Sequence, residues 1–66
     1  MENLSVKELE VLKEVIIGLN NRQISQKLYL AVGTVKAHLS SIMRKLDAPN
    51  RTSLVYIAIK NKIINL

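Results

Sequence analysis

Val35-Lys36-Ala37-His38-Leu39-Ser40-Ser41-Ile42-Met43-Arg44-Lys45-Leu46 is the stretch on which the fold turns. Val35, Leu39, Ile42 and Leu46 fall within about 60° of one another when wound at 100° per residue, a single apolar stripe on an α-helix. Extended back to its start, the pattern predicts a helix over about 32–46. The opposite face carries Gly33, Ala37, Ser40 and Arg44, with Lys36 and Ser41 on its shoulders. A solvent-facing helix ordinarily mixes Glu with Lys, but here no acid occurs between Glu14 and Asp47. The outer surface is therefore slim, polar and positive.

Immediately upstream, Asn21 to Leu28 reads as a short helix that Asn20 or Asn21 could cap. Ile24 and Leu28 alone mark its inner face, too little for an independent helix, so it must be held between others. Tyr29-Leu30-Ala31-Val32 forms the connection, with Leu30 plugging the corner, and Ser25 is small enough for the two helices to cross closely. Short helix, tight apolar corner and longer helix with a bare basic face make a helix-turn-helix. Such a helix enters the major groove of DNA only if bulk is confined to its inner side.

Two further helices complete the chain. Ser5-Val6-Lys7-Glu8 matches a capping box and opens a helix over about 5–18, with Gly18 as its stop. Leu12, Val15, Ile16 and Leu19 share its inner face, flanked by Leu9 and Val11. Lys7, Glu10, Lys13 and Glu14 are read as a solvated opposite face. After the break at Asp47-Ala48-Pro49, Asn50 is a candidate cap for a helix over about 51–61. Leu54, Val55, Ile57 and Ala58 face the bundle, whereas Tyr56, Ile59 and Ile63 lie on another side.

The composition fits one all-α, four-helix domain over residues 1–66. The chain has 66 residues, 48% of them hydrophobic, and no Cys, which removes disulfides and thiolate sites. With a single His there is no metal site to expect, and no cofactor. The longest apolar run, Leu54 to Ile59, is far too short to span a membrane. No signal peptide is evident, so the expected location is the cytoplasm, on the nucleoid when bound to DNA. Residues 1–14 hold four Glu and two Lys, a net of −2. The remainder holds eight Lys or Arg and Asp47, a net of +7, and the sum is the overall +5. Such a distribution suits a polyanion.

No residue pattern favours catalysis. His38 lies at the edge of the core stripe without a paired base or nucleophile. Glu10 and Glu14 sit among lysines as a charged face. Two tyrosines are too few for a platform stacking single-stranded bases. Enzymatic activity is not expected.

At the level of motifs, Leu4 to Ala58 resembles the LuxR-type, also called NarL/FixJ or GerE-like, DNA-binding domain. The carrying segments are LSVKELEVL (4–12), GLNNRQIS (18–25), KLYL (27–30), GTVKAHLSSIMRKL (33–46) and NRT (50–52). The resemblance implies duplex DNA binding by a homodimer, with the third helix in the major groove and the fourth at the dimer interface. It implies base reading by Lys36, Ala37 and Ser40. Backbone contacts are implied for Asn21, Arg22, Thr34, His38, Arg44 and Lys45; from their place on the side of the fourth helix turned away from the bundle, Tyr56, Ile59 and Ile63 are expected to form the dimer ridge. It also implies a longer parent chain with a regulatory domain, as in a two-component response regulator, or a small stand-alone regulator, with RNA polymerase as a further partner. Ala31 and Val32 depart from the family, which usually caps at 31 and is often acidic at 32. Ser25 stands where Ala is typical, and Ile59 where a polar residue is usual. The rival readings are a helical protein-interaction module with an incidental basic patch, and a bundle lying on a membrane surface.

Overall fold

The computed structural model describes residues 3–64, which form α1 (Val6–Ile17), α2 (Asn21–Leu28), α3 (Val32–Lys45) and α4 (Arg51–Lys60), with no strand among them. Each boundary follows from a local signal. Ser5 accepts from the Glu8 amide at 3.1 Å while the Glu8 carboxylate accepts from the Ser5 amide at 2.8 Å, so the capping box is complete. Gly18 ends α1 at φ 109°, and its amide and that of Leu19 return to the carbonyl of Glu14. That backbone region strains any residue with a Cβ.

A second capping box opens α2. Asn20, rather than Asn21, is its cap, paired with Gln23 in both directions at 2.9 Å. Tyr29 closes α2 in the left-handed region at φ 57°, with 94% of its surface exposed. The chain then turns through Leu30, which is half-buried against the core, and enters α3. Ala31 precedes α3 without any side-chain cap. At α4, Asn50 does cap, accepting from the Ser53 amide at 2.8 Å.

Helix α3 packs on both α1 and α2. Val35, Leu39, Ile42 and Leu46 are buried together with Val11, Leu12, Val15, Ile24, Leu54 and Ala58. Ser25 is buried too, its hydroxyl donating to the Arg22 carbonyl at 2.7 Å, so the close α2–α3 crossing leaves no unpaired group there. No helix among the described residues is long and apolar enough to cross a membrane.

Three expectations need correction. Glu14 is buried and pairs with Lys27 at 2.6 Å, because α2 folds across the end of α1 and covers a position that helical periodicity alone places outward. Ser41, expected on a shoulder of the outer face, turns inward and donates to Glu8 Oε2 at 2.6 Å. Ile63 lies beyond the end of α4 and is half-buried against the core. Its amide is bonded back to the Ala58 carbonyl, so the chain curls under and takes Ile63 away from the face of Tyr56 and Ile59.

Candidate nucleic-acid interface

The side chains expected to meet DNA are presented mainly by α3. Gly33, Thr34, Lys36, Ala37, Ser40 and Arg44 are all exposed, while Val35, Leu39 and Ile42 hold the same helix to the core. Between the two faces lies His38, half-buried. The first turn of α2 contributes Arg22, exposed, and Asn21, half-buried. Ala37 and Ser40 sit mid-helix, where short side chains let the helix axis approach a base edge, and Lys36 is the long donor beside them.

Besides the core stripe, a buried carboxylate ties α3 to α1. Glu8, only 6% exposed at its side chain, accepts from Lys45 Nζ at 2.8 Å, from Ser41 Oγ at 2.6 Å and from the Ser5 amide. These donors, led by Lys45 and Ser41, lower its pKa from the ordinary 4.5 to about 2, against the opposing effect of burial. One α1 residue thereby completes its own helix cap and grips the i, i+4 pair Ser41 and Lys45 on α3.

The same contact gives Lys45 a partner within the protein. Its ammonium pairs with Glu8 and its side chain is 19% exposed, so it ties α3 to α1. A signal for this was present in the sequence. Glu8 lies one turn before Leu12 and two before Val15, about 30° from the centre of the core stripe, which calls for an internal partner.

Arg51 was singled out by the sequence only as part of a motif. Its guanidinium donates to Asn21 Oδ1 and to the Leu19 carbonyl, both at 2.7 Å, pinning the start of α4 to the α1–α2 connection. On α4, Tyr56 is 63% and Ile59 45% exposed, the large apolar side chains of that helix left outside. Lys60 lies over the Tyr56 ring, 5.6 Å from its centroid.

A helix-turn-helix with a short, acid-free, outward helix face defines a DNA-binding domain. The chain belongs to the luxR family of bacterial regulatory proteins, whose family model matches residues 2–58. It is similar to YxjL of Bacillus subtilis strain 168, an uncharacterized transcriptional regulatory protein, with 41% identity over 63 residues. That match covers 96% of this chain and 29% of the relative. The oxygen regulatory protein NreC of Staphylococcus haemolyticus strain JCSC1435 is 42% identical over 62 residues, covering 94% of this chain and 29% of NreC. Among solved structures, the crystal structure of ChrA, a response regulator in a heme-sensing two-component system, superposes with a TM-score of 0.91 at 39% identity. It is covered over 97% of this chain and 32% of its own. The chain thus spans less than a third of the length of these relatives. Its fold is the LuxR-type helix-turn-helix domain of transcription regulators.

Proposed function

We propose that this domain binds duplex DNA sequence-specifically as a homodimer, with α3 in the major groove and α4 against its copy. Lys36, Ala37 and Ser40 read bases: Lys36 donates to guanine O6 or N7, Ala37 meets a thymine methyl, and Ser40 bonds a donor or an acceptor. Asn21, Arg22, Thr34, His38 and Arg44 set the register on the phosphates and supply most of the affinity. Tyr56 and Ile59 form the dimer contact. The domain acts as the effector end of a longer cytoplasmic regulator, a response regulator that engages RNA polymerase, and performs no chemistry.

The observation that carries this reading is the outward face of α3. It is exposed along its length, has no acidic residue and is held from behind by the core stripe and Glu8. Selection of bound sites from random DNA should yield a two-fold symmetric motif. On the selected site, Lys36→Ala should weaken binding by about 1–3 kcal/mol while leaving mixed-sequence DNA little affected. Arg44→Ala should weaken every duplex alike and lower the salt slope by about one. If both variants titrate like the unmodified protein in fluorescence anisotropy, α3 is not the reading helix.

A further inference from the structure

An open groove of about 630 Å³ lies where α2, α3 and α4 begin, lined by residues 18–22, Val32 and Arg51. Two guanidinium groups and no carboxylate line it. Arg51, the first residue of α4, reaches across the groove's rim to residues about thirty positions earlier in the chain. One terminal nitrogen holds Asn21 Oδ1 and the other holds the Leu19 carbonyl, each at 2.7 Å. α4 does not depend on this two-pronged hold alone, since Leu54 and Ala58 are fully buried beneath the same helix. The fork also bears on its other partner, the first turn of α2. A planar fork with two bonds at fixed angles orients what it holds, which a single ammonium does not. With Oδ1 accepting from Arg51, the amide nitrogen is the end of Asn21 left to donate, and the exposed Arg22 follows it directly.

We propose that Arg51 is a positioning residue for the DNA backbone: its fork on Leu19 and Asn21 sets the first turn of α2 so that Asn21 and Arg22 meet phosphate. The inference rests on the DNA-binding reading above. Arg51 acts through α2, and its value lies in its geometry more than in its charge.

The test is a double-mutant cycle with the full chain on a fluorescein-labelled mixed-sequence duplex, titrated at low and at physiological salt. Assays run at a temperature at which circular dichroism shows each variant folded. Arg51→Ala, Arg51→Lys and Arg22→Ala should each weaken binding about tenfold. Combining Arg22→Ala with Arg51→Ala should cost clearly less than the product of the two. Arg51→Lys retains the charge and the aliphatic stem, so it keeps the inference testable should Arg51→Ala fail to fold. Binding of Arg51→Lys equal to that of the unmodified protein would overturn the proposal, because charge alone would then suffice. Multiplicative losses in the cycle would overturn it too, because Arg51 would be acting independently of Arg22. The unmodified protein separates this from failure of the underlying reading: if it shows no salt-steep binding, DNA recognition itself falls and the role of Arg51 with it.

Discussion

α3 and α4 both supply apolar side chains to the core, but they distribute them in opposite ways. On α3 these residues keep to one side, with Val35, Leu39 and Ile42 buried and short polar or basic residues opposite. On α4 they run all round: Leu54 and Ala58 are buried, Val55 and Ile57 half-buried, Tyr56 and Ile59 exposed. A one-sided helix needs one apolar partner and offers water, or a polar ligand, its other face. A helix apolar on all sides is suited to two apolar surfaces, of which the monomer supplies one. On the proposed reading, the contrast matches DNA to α3 and a second copy of the domain to α4.

The largest effect should come from loosening the inner side of α3. Glu8→Gln keeps the shape but removes the charge around which Lys45, Ser41 and the Ser5 amide are arranged. It should cost about 3 kcal/mol in urea unfolding, as expected for breaking a buried pair from one side. The pH dependence gives an independent reading. Because folding lowers the Glu8 pKa from 4.5 to about 2, its stabilisation is complete above 4.5 and is lost as pH falls toward 2. The stability gap between the unmodified protein and Glu8→Gln should therefore close across that window. A gap that stays constant there would remove Glu8 as the anchor of α3.

Next in size is the outer side of α4. Ile59→Asp should weaken self-association about tenfold to hundredfold in sedimentation equilibrium, the equivalent of about 1.5–3 kcal/mol of lost apolar burial. Its thermal melt at low protein concentration should barely move, since Ile59 is outside the core. Unchanged association would erase the distinction between the two helices.

The smallest effects lie at the helix starts, where Asn50 caps α4 and Ala31 leaves α3 uncapped. Ala31→Ser should add about 1 kcal/mol of stability and Asn50→Ala should remove about the same, both by chemical denaturation. If Ala31→Ser gives nothing, the amides at the start of α3 are satisfied in some other way.

Much of this molecule can be read from local spacing. The capping box at Ser5 and Glu8, the stop at Gly18, the stripe of α3 and the Asn50 cap all depend on steps of no more than four positions. Hydrogen-bond reach and helical periodicity decide such features wherever the helix is placed. The same holds for the outward face of α3, whose lack of acid is a property of the sequence itself.

Four placements depend instead on which helix lies across which. Glu14 is on the polar side of α1 by periodicity, yet α2 covers it and Lys27 neutralises it. Lys45 reads as an outward cation by local spacing, but α1 brings Glu8 to it, 37 residues away in sequence. Ile63 continues the apolar pattern of α4, but the helix ends at Lys60 and the chain turns it back to the core. Arg51 gains its partners only because the start of α4 meets the α1–α2 connection. The sequence by itself determined four helices, a helix-turn-helix and a basic, acid-free outward face on α3, since short-range sterics and apolar periodicity suffice for those. Only the tertiary structure decided which charges remain available to DNA, because a charge is spent or free according to neighbours that no local spacing reveals.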